Sequence, residues 1–243
     1  MSRALQLAER GKYSTHPNPR VGCVIVSENK IVGEGWHQFS GGAHAEISAL
    51  DALTAPLDNA SCYVSLEPCN HRGQTGPCTE ALIDAGVKQV IVAMLDPNPL
   101  VAGQGLARLE EAGIDTQVGL MQDEAIKINP GFIMRMIEKR PYIRCKLAMS
   151  IDGKTAMASG ESKWITEAPA RQDVQALRAS SAAIMSGIGS VLADDPSLNV
   201  RDIDIGEREV LRVILDRQLR MPTKAKTSRL PGRTLVFTQS KDE

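Results

Sequence analysis

Three short runs, His44-Ala45-Glu46, Pro68-Cys69 and Pro77-Cys78, constrain this chain more than anything else in it. They supply one imidazole, two thiols and one carboxylate from separate parts of the sequence. Three N/S ligands leave the fourth position of a zinc ion open, as hydrolytic sites require, whereas structural sites close with four protein ligands. His44 follows Gly41-Gly42-Ala43 at the start of a helix, Cys69 follows a strand, and Cys78 lies between Pro77 and another helix start. The partial positive charge of a helix N-terminus favours thiolate and hydroxide. Zinc brings the pKa of a bound water to about 7, and Glu46, two residues beyond His44, is placed to move that water's protons. The competing reading is a structural knot, with His71 as a fourth ligand. Such a knot has no use for Glu46.

The first half of the chain alternates between period-2 and helical patterns, which predicts an α/β layer fold with largely parallel pairing after an opening hairpin. The N-terminal run predicts an amphipathic helix with Ala4, Leu5, Leu7 and Ala8 apolar and Gly11 as its stop. Val21–Val26 and Ile31–Gly35 read as strands joined by a Ser-Glu-Asn-Lys turn. Helices follow at Ala45–Leu53, Thr79–Ala85 (with Thr79 as a candidate cap) and Gly103–Ala112. Strands are predicted at Cys62–Leu66, Gln89–Met94 and Thr116–Val118. A helical stretch, Asp123–Lys139, leads to Pro141, and a domain boundary is placed near Arg140. The second domain is predicted to open on a strand, Tyr142–Ala148. It continues with a helix at Ala168–Ala179, a short helix at Ser190–Ala193, and strands at Ala183–Ser186, Val210–Leu215 and Thr234–Thr238. Cys23, Cys62 and Cys145 read as small buried hydrophobes within strands. No G-x-G-x-x-G element follows a strand.

Composition narrows the partners. Lys and Arg total 28 against 29 Asp and Glu, a net charge of −1. That balance lacks the basic footprint of a nucleic-acid binder and points to a small-molecule substrate. No apolar run reaches the roughly 18 residues of a membrane span, and the N-terminus has no signal-peptide core, so a cytoplasmic location is expected. Five cysteines, an odd number, suit metal or core roles better than disulfides.

His-x-Glu followed by paired Pro-Cys resembles the zinc deaminases that act on nucleobases, but eight residues separate the cysteines instead of two. The runs THPNPRVGCVIV, GGAHAEISAL, YVSLEPCNHRGQTGPC, DPNPLVAGQG and KLAMSIDGKTAMASGESKWIT resemble the bifunctional riboflavin-biosynthesis deaminase–reductases over nearly the whole chain. The long loop between the cysteines, with His71, Gly73 and Thr75, is typical of that family and not of tRNA adenosine deaminases.

The resemblance implies a three-layer cytidine-deaminase-like domain over residues 1–140 and part of a dihydrofolate-reductase-like α/β domain over residues 141–243. The first would remove the 2-amino group of 2,5-diamino-6-(5-phosphoribosylamino)pyrimidin-4(3H)-one. His44, Cys69 and Cys78 would hold zinc, Glu46 would carry the proton, and Asn18 would contact the substrate. The second would use NADPH to reduce ribosyl to ribityl. Ala148, Trp164, Ser190, Asp194 and Arg217 would face the cofactor, although Arg217 stands where the family has a small residue. Lys154, Ser162, Arg178, Leu198 and Arg201 would face the phosphorylated substrate. Self-association is implied as well. About 100 residues is short for such a domain, and the family's later Glu-Gly-Gly type segment is not in this sequence. A reductase identity without a working reductase is therefore expected. The alternatives are a stand-alone nucleobase or tRNA deaminase with a vestigial tail, and a zinc-stabilised binding module.

Overall fold

Strand β1 (Gly22–Ser27) shows how the first domain is layered. Its side chains alternate between faces, as a pleated strand requires. Cys23 and Ile25 go to one face, and Val24 goes to the other. Both faces are therefore covered by helices. The chain is described by a computed structural model over residues 1–71, 76–99 and 101–239, so Gly73, Thr75 and the last four residues lie outside the described part. It divides into two compact units, Met1–Ile143 and Arg144–Glu243.

The elements of the first unit are α1 (Ser2–Arg10), β1, β2 (Lys30–Trp36), α2 (Ala45–Asp51), β3 (Ser61–Val64), α3 (Cys78–Asp84), β4 (Gln89–Val92), α4 (Gln104–Glu111), β5 (Asp115–Val118), α5 (Gln122–Ile128) and α6 (Pro130–Glu138). The sheet order is β2-β1-β3-β4-β5. β1 is antiparallel to both β2 and β3, and β3, β4 and β5 run parallel. Parallel pairing thus begins one strand later than the sequence predicts. The reason is that β2 and β3 flank β1, with α2 as the crossover between them, and parallel strands need such a crossover. The opening turn matches its sequence: Glu28 and Asn29 both have positive φ (49° and 60°), as a tight two-residue hairpin loop demands.

Ala45 and Ala49 of α2, Leu82 of α3, and Leu106 and Leu109 of α4 pack with Cys23, Ile25, Cys62, Val64, Val90 and Val92 on one face of the sheet. Ala4 and Leu7 of α1 pack on Val24 from the other face. Leu5 and Ala8 continue that layer with Ala125 and Ile128 of α5 and Phe132 of α6, against Leu66, Ala93 and Met94.

α2 lies on bare backbone. A Cβ added at Gly35 would sit 2.3 Å from the Ala49 nitrogen, and one at Gly33 would sit 2.4 Å from the Ala49 carbonyl oxygen. Gly35→Ala is therefore expected to push α2 off the sheet and lower stability by about 1–3 kcal/mol. Chemical unfolding checks this; an unchanged midpoint would contradict the close approach.

The predicted stretch Asp123–Lys139 is two helices, not one. Pro130 has no N–H to continue α5 and instead opens α6 as its first residue. Thr79 is not a cap, because α3 begins at Cys78 with Pro77 as N-cap. The Thr79 hydroxyl donates to Asn70 Oδ1 at 2.9 Å.

The second unit holds α7 (Ala168–Ala179), β6 (Ala183–Gly187), α8 (Ile188–Asp194), β7 (Leu211–Leu215), α9 (Lys226–Arg229) and β8 (Thr234–Phe237). Its three strands are parallel, in the order β6-β7-β8. Ile188, Val191, Leu198, Ile214 and Ala225 form the core. Arg212 is buried and donates to the carbonyls of Leu230, Pro231 and Gly232 and to the Thr234 hydroxyl. The guanidinium thus closes the turn into β8.

The strand predicted at Tyr142–Ala148 does not form. Its composition suits a strand, but among the described residues no neighbour gives it a hydrogen-bonded ladder. Ile143 and Leu147 are 69% and 64% exposed. Cys145, expected to be buried, is exposed for the same reason. α9 was not predicted; at four residues it is too short to show a period.

Candidate active site

One strand end and two helix starts converge at the site. β3 ends just before Glu67-Pro68-Cys69, α2 is entered through His44 as its N-cap, and α3 begins at Cys78. The ligand atoms of His44, Cys69 and Cys78 lie within 4.8 Å of one another. His44 Nδ1 is 3.2 Å from Cys78 Sγ and 3.5 Å from Cys69 Sγ. Tetrahedral zinc with ordinary Zn–S and Zn–N bonds separates an N and an S ligand by about 3.6 Å. The donor set therefore fits zinc in both chemistry and spacing. The Cys69 carbonyl accepts from the Thr79 N–H at 3.3 Å, which ties the first thiol segment to α3. His71 is exposed and does not belong to this group among the described residues.

Electrostatics follow from burial and crowding. The Cys78 thiol donates toward Cys69 and, with the charge on His44, holds Cys69 down to about 4. The same hydrogen bond, together with burial, pushes Cys78 up, so the first negative charge settles on Cys69. The hydrogen bond to Cys69 raises His44. Glu46 is 3% exposed, and burial, aided by the Cys69 charge, raises it to about 7. A carboxyl poised near neutrality can both take and return a proton.

Glu67 was not singled out from the sequence. It is buried, and its carboxylate accepts backbone N–H bonds from Asp96 (3.1 Å), Gly103 (3.0 Å) and Gly105 (3.0 Å). It thereby fastens the Pro68-Cys69 segment to the loop after β4 and to the start of α4. Gly105 packs hard against this corner, since a Cβ there would lie 2.1 Å from the Pro68 carbonyl oxygen. The only available signal was an acidic residue before Pro-Cys, which says nothing of three distant N–H groups.

A pocket of about 240 Å³ opens over these residues. His44, Glu46 and Cys69 line it, with Asn18, His37, His71, Asp96 and Asn98 around them and Phe132, Arg135 and Met136 of α6 along one side. His37 is buried, and that burial lowers its pKa. Its Nδ1 lies 3.0 Å from the Ala43 carbonyl, which can only accept, so the proton sits on Nδ1. Nε2 is then the acceptor for Asn18 Nδ2 at 3.2 Å. This neutral imidazole orients the Asn18 amide. Asp96 is raised to about 6, chiefly by burial.

Comparison with known proteins bears on the whole chain. Residues 1–94 match the cytidine and deoxycytidylate deaminase zinc-binding region, and residues 141–243 match the RibD C-terminal domain. The riboflavin biosynthesis protein RibD of Escherichia coli (strain K12) is 51% identical over 253 residues, covering 100% of this chain and 69% of the relative.

The chain belongs to the RibD family.

The RibD of Haemophilus influenzae is 53% identical over 232 residues, covering 91% of this chain and 62% of its own length. The chain therefore spans about two thirds of the curated relatives it matches. Acinetobacter baumannii RibD superposes with a TM-score of 0.92 at 50% identity over 99% of this chain and 68% of that one. A Thermotoga maritima diaminohydroxyphosphoribosylaminopyrimidine deaminase/5-amino-6-(5-phosphoribosylamino)uracil reductase gives 0.92 at 38% identity, over 100% and 69%. RibD proteins are deaminase–reductase enzymes of riboflavin biosynthesis. The match over residues 141–243 tells against a stand-alone deaminase with a vestigial tail. No helix among the described residues is long and apolar enough to cross a membrane.

In the second unit of this RibD chain, three of the expected residues meet. Arg178 of α7 donates to the Asn199 carbonyl at 3.0 Å, and Gln175 accepts from the Arg201 N–H at 3.0 Å. α7 thus holds the segment bearing Leu198 and Arg201 beside Arg178, whose pKa is lowered by burial and by the Arg201 charge. Leu198 is buried with a φ of 46°. Ser190 and Asp194 lie on α8, directly after β6, and Arg217 follows β7. Ser190 in the first turn of α8 and Arg217 just past β7 thus lie at the carboxyl ends of parallel strands, where ligands of α/β sheets bind, whereas Asp194 is at the far end of α8. Ala148, Lys154, Ser162 and Trp164 lie in the irregular stretch before α7. Trp164 is 73% exposed, with the Arg171 guanidinium 4.6 Å from its ring centre. No hydrogen bond or ion pair among the described residues joins Ala148, Lys154 or Ser162 to Arg178 or Arg201.

Proposed function

We propose that the first unit hydrolytically deaminates 2,5-diamino-6-(5-phosphoribosylamino)pyrimidin-4(3H)-one to 5-amino-6-(5-phosphoribosylamino)uracil, with His44, Cys69 and Cys78 as zinc ligands and Glu46 as the proton carrier. The observation that carries the reading is a three-donor cluster with a buried carboxyl beside it, at the floor of a pocket. A zinc ion held there supplies the Lewis acidity that makes water nucleophilic near neutral pH. Glu46 takes one proton from the water and gives it to the ring nitrogen, then takes the second from the hydroxyl added to carbon and gives it to the amine, which departs as ammonia. The Asn18 amide, oriented by neutral His37, presents its oxygen to a ring N–H or amino group. Leu66, Val101 and Phe132 give the pyrimidine an apolar surround.

The second unit, on the same reading, is the part of the reductase that would receive NADPH and the deaminated product for reduction of ribosyl to ribityl. Arg178 and Arg201 pair with the substrate phosphate, since a guanidinium matches phosphate oxygens in two directions. Leu198 packs beside the substrate, and Lys154 and Ser162 reach it from the stretch before α7. Ala148, Trp164, Ser190, Asp194 and Arg217 serve the cofactor. The five cysteines are free thiols, in keeping with a reducing cytoplasm, and the enzyme works as a homo-oligomer on a small molecule.

The test is one assay of zinc-loaded protein on the diaminopyrimidine phosphate, with and without NADPH. Ammonia release in both arms is the expected result. No release in either would refute the deaminase reading.

A further inference from the structure

The side of the pocket formed by α6 carries a feature that the deaminase chemistry at its floor does not use. Phe132, Arg135 and Met136 are three and four residues apart, share one helix face, and all line the pocket. The helix is fixed in place. Asn129, just before it, is buried; its Oδ1 accepts from the Arg20 N–H and its Nδ2 donates to the Arg20 carbonyl, both at 2.8 Å. Arg20 directly follows Pro17-Asn18-Pro19, which lines the same pocket. That double hydrogen bond locks α6 to the segment bearing Asn18, and Phe132 packs into the core beneath.

Arg135 is exposed at the pocket mouth, whereas Glu46 is buried at the floor. It is the only Lys or Arg among the described lining residues, alongside the acids Glu46, Glu67 and Asp96. His37 is neutral and hydrogen-bonded, and His44 belongs to the donor cluster. Among the described residues no carboxylate pairs with Arg135, whereas Arg140, just past the same helix, is tied to Glu138. An exposed, permanent cation in a pocket whose acids Glu46 and Glu67 are buried suits a ligand that is neutral at its reacting end and anionic at the other. Guanidinium recognises phosphate through two parallel N–H bonds.

We infer that Arg135 binds the terminal phosphate of the substrate and selects sugar-phosphate-linked pyrimidines over their dephosphorylated counterparts. This rests on the deaminase reading above.

The test compares kcat/KM for the diaminopyrimidine phosphate and for the same compound after phosphatase treatment, using the zinc-loaded full chain. Arg135→Ala is expected to reduce the ratio of the two by about tenfold or more, the size of one lost charge-assisted pair, mainly through KM of the phosphorylated compound. Arg135→Lys, which keeps the charge but not the fork, recovers part of it. Arg140→Ala leaves the ratio as it is. Inorganic phosphate competes with the phosphorylated substrate in the wild type and competes more weakly in Arg135→Ala. An Arg135→Ala protein with the wild-type ratio and wild-type inhibition by phosphate overturns the assignment. A wild-type protein that deaminates neither compound overturns the deaminase reading itself, so the two failures are told apart.

Discussion

Glu46→Gln is expected to keep zinc and fold while losing about 10²–10⁴-fold in deamination rate. The amide is isosteric with the carboxyl, so the packing of α2 on Gly33 and Gly35 is undisturbed, and no ligand of the donor cluster changes. What disappears is the proton carrier: an amide cannot take a proton from water and return it to nitrogen. Burial strengthens the case. A carboxyl 3% exposed and raised to about 7 has the proton affinity that such shuttling needs, and the amide has none. Zinc content by elemental analysis and turnover by ammonia release check both halves of the expectation. Turnover near wild type with zinc bound would refute the assigned role. A merely structural zinc site would also be untouched by this substitution, so the experiment separates a catalytic centre from a knot.

The second large effect falls on a residue that performs no chemistry. Glu67→Ala leaves the N–H groups of Asp96, Gly103 and Gly105 without their acceptor. Each buried N–H so orphaned costs about 1–3 kcal/mol, so a loss of several kcal/mol is expected on urea unfolding. Because Glu67 also fixes Pro68-Cys69, zinc affinity should fall by about 10–100-fold, the usual consequence of removing a group that orients a metal ligand. Chelator competition measures this. Unchanged stability would mean that water replaces the carboxylate, and unchanged zinc affinity would mean that the Thr79 bond to the Cys69 carbonyl suffices alone.

The elements most legible in the sequence were those whose own residues set their limits. Gly11 and Gly86 follow the ends of α1 and α3, Glu28-Asn29 makes the hairpin, and the continuous apolar run of β1 marks a strand buried on both faces. Period failed where the partner decides. Tyr142–Ala148 has the composition of a strand but finds no ladder among the described residues, and β3 joins β1 antiparallel because α2 carries the chain across it. Pro130 sits inside one continuous helical period, and the tertiary structure divides that stretch at it into α5 and α6.

By itself the sequence determined which chemical groups are on offer for the proposed reaction. His44, Glu46, Cys69 and Cys78 are chemically committed residue types in a fixed order, and the eight residues between the cysteines picked out one branch of zinc deaminases. Tertiary structure decided what holds and surrounds those groups. The Glu67 carboxylate reaches N–H groups 29 to 38 residues away, the Asn129 side chain reaches Arg20 across 109, and Arg135 meets the pocket only because that bond places its helix. Local pattern records which atoms a residue carries and which way its element faces. Contacts between residues far apart in the chain depend on how layers stack, and no period in the sequence encodes them.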